Sequence, residues 1–198
     1  MSWSTPIVRS TLSSCRCSAH EAYPGHHTEH AWKEALLVDG GGYVEETIFL
    51  VGTPQAVVSE GIAMIALELA LGDDTDAVAA RVFADVGISY DEETSRAVRE
   101  LRDALSGLPV NAALRLHVEA RPRDEVVDYV QRWGLNTRER AASSVEFLVH
   151  PTWRAYTSCY PSGLELCRRF VHGDVRRFRR LLTEQFTPAD LAKEGHAR

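Results

Sequence analysis

The segment Thr53–Leu71, TPQAVVSEGIAMIALELAL, decides the fold class of this chain. Thr53 is a good N-cap, and Pro54 suits the first turn of a helix because that turn does not need the missing proline N–H. The residues that follow are apolar on almost every side, which is typical of a helix buried within a protein. The sequence therefore predicts a central buried helix over residues 54–71.

Helical patterns also predominate outside this segment. We predict further helices over residues 26–37, 73–86, 92–105, 110–120, 123–133, 137–149, 163–171 and 175–186. Within residues 123–133, four large residues recur at the helical spacing i, i+3, i+4 and i+7 and predict a core-facing stripe: Val126, Tyr129, Val130 and Trp133. Residues 43–51 fit either a strand or a short helix. The predicted fold class is mainly α.

The composition predicts a globular protein and argues against two classes, nucleic-acid-binding proteins and membrane-spanning proteins. A chain of 198 residues with 44% hydrophobic residues and a net charge of −6 is typical of a globular protein, and its acidity argues against nucleic-acid binding. Its most apolar stretch, residues 61–72, is short and contains a glutamate, so no membrane span is predicted. With four cysteines and no leader-like apolar run at the start, we predict a cytoplasmic protein. The serine-rich residues 1–18 are expected to form a loose arm before a helical domain over residues 19–198.

Four of the eight histidines lie within the run HEAYPGHHTEH, residues 20–30. Imidazole is the commonest protein ligand for zinc, and the H-E-x-x-H motif of zinc hydrolases places two imidazoles one helical turn apart. Here Pro24 stands where that motif has its second histidine, so a regular helix would be interrupted. A turn widened at Pro24 and Gly25 could bring either His26 or His27 beside His20.

Two other interpretations of this run remain open. His26, Glu29 and His30 spell H-x-x-E-H, the inverted zincin arrangement, which needs no widened turn. Alternatively, the histidines belong to a polar helix start and face water.

Glu60 lies on an apolar face of the predicted central helix, with Met64, Leu67 and Leu71 following it at helical spacing. A carboxylate in that position is costly unless it is paired or binds a metal. An ion pair with an arginine is one solution. With a histidine cluster 40 residues upstream, we favour Glu60 as a third zinc ligand.

The residues from His20 to His27, followed by Ser59-Glu60-Gly61-Ile62-Ala63, resemble the bacterial family known as domain of unknown function 885. Its members carry an H-E-x-x-P-G-H-H motif and an E-G-W-A-like helix. The resemblance implies a zincin-like, gluzincin-type helical fold. It also implies a zinc ion bound by His20, by His26 or His27, and by Glu60, with Glu21 as general base. Ile62 replaces the tryptophan of the family.

The resemblance extends to Tyr160-Pro161-Ser162-Gly163, which is similar to a Y-x-x-G segment of the family. It implies that Tyr160 donates a hydrogen bond to a developing oxyanion and that Arg154 and Tyr156 bind substrate. The competing interpretation is that Trp153, Tyr156 and Tyr160 are core aromatics at helical spacing.

Together these features predict a zinc-dependent hydrolase of the metallopeptidase or carboxypeptidase type that acts on peptides. Family members have several helices before the histidine motif, so this chain resembles the C-terminal part of a larger fold, and we expect weak activity and self-association. The alternative is a catalytically inert helical remnant that binds metal or a partner subunit.

Overall fold

The computed structural model describes residues 17–195, and this part of the chain is mainly helical, with no β-strand. After helical residues 17–21, the α-helices are α1 (His26–Lys33), α2 (Pro54–Leu71), α3 (Thr75–Asp85), α4 (Glu92–Ala104), α5 (Leu108–His117), α6 (Arg123–Gly134), α7 (Arg138–Val149), α8 (Cys159–Val171), α9 (Val175–Thr183) and α10 (Pro188–Gly195). A π-helical stretch, Glu34–Asp39, continues α1, and short 3-10 helices occupy Val44–Thr47, Gly72–Asp74 and Tyr156–Ser158.

The predicted mainly α class is confirmed, and so is the central helix. The Thr53 hydroxyl accepts a hydrogen bond from the Ala56 N–H at 3.3 Å, which caps the start of α2 as expected. The ambiguous segment over residues 43–51 forms a 3-10 turn at Val44–Thr47 followed by irregular chain. Of the predicted arm, residues 1–16 lie outside the described residues, and its last two residues are helical.

Two hydrophobic cores lie within the described chain. The first forms between α2, α8, α9 and α10 and contains Ile62, Phe170, Leu181 and Leu191, each at most 1% exposed. The second forms between α5, α6 and α7. The stripe predicted on α6 faces this second core with Val126 and Val130, whereas Trp133 is 50% exposed at its end.

Helices α2 and α8 cross in close contact at two glycines. A Cβ on Gly61 would overlap the carbonyl oxygen of Gly163, and a Cβ on Gly163 would overlap the carbonyl oxygen of Val57. The backbones can therefore meet only because both residues lack a side chain. This contact brings the residue beside Gly61, Glu60, close to the start of α8.

By length and composition alone, the run Pro54–Asp85 could cross a membrane. This run is longer than residues 61–72, the most apolar stretch identified in the sequence. Half of its most apolar window is buried against the rest of the protein. That burial is also the usual situation of a core helix, so the run is weak support for membrane insertion.

Candidate metal centre

A widened turn at residues 22–25 joins the helical residues 17–21 to α1. The Gly25 N–H donates to the carbonyl oxygen of Ala19 at 2.9 Å, a wider loop than an α-helical turn. A Cβ on Gly25 would overlap the carbonyl oxygen of His20, so only glycine allows this approach. The turn places the rings of His20 and His26 edge to face, with centroids 4.7 Å apart.

Three side chains converge here from two parts of the chain. The Nε2 atoms of His20 and His26 lie 3.1 Å and 3.7 Å from Oε2 of Glu60. One donor atom from each residue lies within 4.8 Å of the other two. Glu60 is 2% exposed, and the two histidines are partly buried.

A second carboxylate, that of Glu29, contacts the ring nitrogen of His26 that does not face Glu60. Its Oε2 lies 3.4 Å from Nδ1 of His26 and accepts a 2.6 Å hydrogen bond from the hydroxyl of Ser59. Its Oε1 accepts a 2.8 Å hydrogen bond from the Lys33 ammonium. Glu29 is fully buried, so these contacts compensate for its lost hydration.

Two tyrosines lie on the other side of Glu60. The Tyr156 hydroxyl donates to Oε1 of Glu60, so this phenol holds the carboxylate. The Tyr160 ring lies 5.3 Å from that of Tyr156 and 6.3 Å from that of His20. Burial and the negative charge of Glu60 raise the pKa of Tyr160, which keeps this phenol protonated and able to donate a hydrogen bond.

The hydrogen bonds around His26 govern its electrostatics. Burial would lower the pKa of His26, but hydrogen bonds with Glu29 and Glu60 outweigh burial and raise that pKa to about 9. Burial would raise the pKa of Glu60, but hydrogen bonds with the two histidines and Tyr156 lower it to about 2. Burial would likewise raise the pKa of Glu29, and His26 and Lys33 lower it to about 2. The centre therefore combines ionised carboxylates with a proton on His26 that a metal would have to replace.

The donor set and its spacing fit zinc. Two His nitrogens and one Glu oxygen form a known catalytic zinc set, and ligands about 2.1 Å from a tetrahedral ion lie roughly 3.4 Å apart. The separations of 3.1 Å and 3.7 Å from Glu60 lie on either side of that value. The contact between Glu29 and Nδ1 of His26 also matches the outer hydrogen bond that zinc-binding histidines usually make.

A cleft of about 690 Å³ borders this centre at His20. His20, Glu21 and Tyr160 line one part of it, and the ion pair between Arg99 and the buried Asp76 lines another. Glu21 is exposed, which leaves its carboxylate accessible to substrate and water.

The remaining predicted site residues do not belong to the group formed by His20, His26 and Glu60. His27 is exposed and stacks near Tyr23, and His30 is exposed with its ring 5.6 Å from Phe49. His26, Glu29 and His30 also form a group with metal-binding spacing, but Glu29 is already engaged by Lys33 and Ser59. Arg154 is exposed and does not line the described cleft.

No family model, curated protein or solved structure matches this chain.

The sequence does not predict the hydrogen-bonded group behind His26. It assigns Glu29 only to the inverted motif and gives Lys33 and Ser59 no function. A signal was present, because Glu29 and Lys33 follow His26 at i+3 and i+7 on one helix face. The contact of Tyr156 with Glu60 spans 96 residues and had no local signal.

Proposed function

We propose that this chain is a zinc-dependent hydrolase of the metallopeptidase type, with His20, His26 and Glu60 as ligands. The convergence of their three donor atoms carries the proposal. A zinc ion held there would supply a Lewis acid that polarises the scissile carbonyl and lowers the pKa of water toward about 7.

The outer residues would preorganise the ligands. Nδ1–H of His26 would donate to Glu29 and to the Ser59 hydroxyl, which leaves Nε2 directed toward Glu60 and the metal position. Tyr156 holds the second oxygen of Glu60. These contacts favour this ligand set over the inverted arrangement, in which Glu29 would have to exchange its buried partners for a metal.

Two residues of the cleft would take part in the reaction. Glu21 follows the ligand His20 directly and lines the cleft, where its carboxylate would accept a proton from the attacking water and return it to the leaving amine. The Tyr160 phenol would donate a hydrogen bond to the oxygen that becomes negatively charged. The proposal includes the gluzincin-type relationship implied by the resemblance to domain of unknown function 885.

Metal analysis of single variants tests the ligand set. We expect about one zinc per chain in the wild type and sharply less in His20→Ala and Glu60→Ala. The matched controls His27→Ala and His30→Ala should retain zinc. Loss of zinc in His30→Ala together with its retention in His20→Ala would instead support the inverted arrangement.

Peptide cleavage tests the chemistry separately. Zinc-loaded protein should cleave members of a short-peptide panel, and a chelator should stop the cleavage. Glu21→Gln should retain zinc but lose most of the turnover, because general-base catalysis is typically worth about 10²–10⁴ in rate. Zinc binding without cleavage of any peptide would support the inert metal-binding alternative.

A further inference from the structure

We propose that an apolar pocket beside the metal centre binds a bulky hydrophobic side chain of the substrate, next to the scissile bond. The inference rests on the proposed function, because it specifies the class of peptide that the same site would accept. The pocket has a volume of about 550 Å³ and lies between α5, α6, α7 and the start of α8. That volume is within the range of about 300–1,000 Å³ usual for small-molecule sites.

The pocket adjoins the cleft of the metal centre. Ser106 and Tyr160 line both cavities. The Tyr160 ring is 6.3 Å from that of His20, and successive residues of an extended peptide are about 3.3–3.6 Å apart. A peptide bond at the metal centre would therefore have a neighbouring side chain within reach of the pocket.

The lining of the pocket favours an apolar group. No charged side chain is among the described residues that line it, and its lining is mostly apolar, with Leu108, Ala112, Val130, Phe147, Leu148 and Pro161 among the residues that form it. The hydroxyls of Ser143 and Ser144 donate to carbonyl oxygens of their own helix at 3.0 Å each. A charged substrate group would lose its hydration there without an ionic partner, whereas an apolar group would gain from burial.

The neighbouring cleft has the opposite character. Its walls carry Glu21, Glu68, Asp76 and Arg99. The polar peptide backbone and charged side chains would therefore lie in the cleft, with the hydrophobic side chain in the pocket.

Binding of two small probes to metal-free protein tests the pocket independently of zinc. N-acetyl-L-phenylalaninamide carries a benzyl side chain, and N-acetylglycinamide is its matched control. By calorimetry or NMR titration, we expect the benzyl probe to bind at least about tenfold more tightly, because even one methylene in an apolar pocket gives about that discrimination.

Two variants locate the binding. Ser144→Trp and Ser143→Phe each add a large side chain at an exposed position that lines the pocket, and both should abolish the preference for the benzyl probe. Ser144→Ala removes the hydroxyl without filling the pocket and should keep the preference. Circular dichroism selects the variants that fold. Equal binding of the two probes to the wild type would overturn the proposal that the pocket binds an apolar side chain. So would a preference for the benzyl probe that persists in folded Ser144→Trp or Ser143→Phe.

Cleavage kinetics then test its use by substrate. For zinc-loaded protein, peptides with phenylalanine next to the scissile bond should have a higher kcat/KM than their glycine analogues, and Ser144→Trp should remove that difference. Benzyl-probe binding without this kinetic preference would refute the substrate assignment. A protein that binds the benzyl probe but no zinc would refute the hydrolase and leave the pocket as an apolar binding site.

Discussion

His26 uses its two ring nitrogens for different contacts. Nε2 faces Glu60, whereas Nδ1 faces Glu29 and Ser59. Lys33 also donates a hydrogen bond to Glu29, so the buried carboxylate has a charged partner and is held in place. The orientation of the proposed ligand therefore depends on residues that do not themselves bind the metal.

Glu29→Gln tests this dependence. The amide keeps the size of the side chain but loses its charge, and losses of such outer contacts typically lower metal affinity by about 10–100-fold. Competition with a chromophoric chelator would measure the change. Glu34→Gln, at an exposed position of the π-helical continuation of α1, is the control and should bind zinc like the wild type. Equal affinity in both variants would show that Glu29 does not orient His26.

The shifted pKa values predict how pH affects the metal-free protein. The pKa of His26 is raised to about 9, so its contribution to stability is complete below about pH 6.5 and is lost as pH rises to 9. The pKa values of Glu29 and Glu60 are lowered to about 2, so their contribution is present above about pH 4.5 and is lost as pH falls toward 2. Urea unfolding should therefore show maximal stability between about pH 4.5 and 6.5.

The variant His26→Ala provides the control for the alkaline limb. Its stability should fall less than that of the wild type between pH 6.5 and 9, because the titrating imidazole is gone. Zinc affinity of the wild type should rise over the same interval, since the metal no longer competes with a proton on His26. A wild-type affinity that is constant from pH 6.5 to 9 would contradict the raised pKa.

At the scale of helices, the crossing of α2 and α8 determines where Glu60 lies relative to Tyr156. Gly163→Ala should force the two backbones apart, and overpacking of this kind typically costs about 1–3 kcal/mol. Urea unfolding would measure the loss in free energy of unfolding. Ser162→Ala, at the exposed neighbouring position, should have little effect. A Gly163→Ala protein as stable as the wild type would show that the crossing adjusts freely.

The helices that the sequence predicted best have strong local signals. Thr53 and Pro54 define the start of α2, and the capping hydrogen bond to Ala56 agrees with that prediction. The sequence predicts helix α8 only from residue 163, four residues after its observed start at Cys159. In the structure Pro161 lies in the first turn of α8, where its missing N–H has no helical acceptor to lose. Helix α10 was not predicted, since its eight residues bury only Leu191 deeply.

For the molecule as a whole, the sequence predicts those parts of the site that depend on residues close together in the chain. The histidine cluster and the buried Glu60 are visible as local patterns. The choice between His26 and His27 was not, because it depends on the path of the turn at Gly25. The contact between Tyr156 and Glu60 was also out of reach, because it exists only when α2 and α8 cross.

Zinc should stabilise the whole molecule, because the proposed ligands come from residues far apart in the chain. A ligand that binds only the folded state adds about 2.7 kcal/mol at a free concentration 100 times its Kd. Thermal unfolding should show a higher Tm with zinc than with a chelator. Glu60→Ala should show a much smaller difference in Tm. An equal rise in the Tm of that variant would show that the stabilising zinc binds elsewhere.

The glycine contact between α2 and α8 also constrains how sequences with this fold can diverge. A side chain on Gly61 or Gly163 would meet backbone atoms, so no compensating change of a neighbouring side chain restores the space. The histidines are under a different constraint, because they belong to the proposed metal site and not to this contact between α2 and α8. If the proposed metal site is lost in a descendant, we expect His20 to change while both glycines persist. Glycines at both positions would then mark common ancestry of the fold, and histidines at 20 and 26 would mark retention of the proposed metal site.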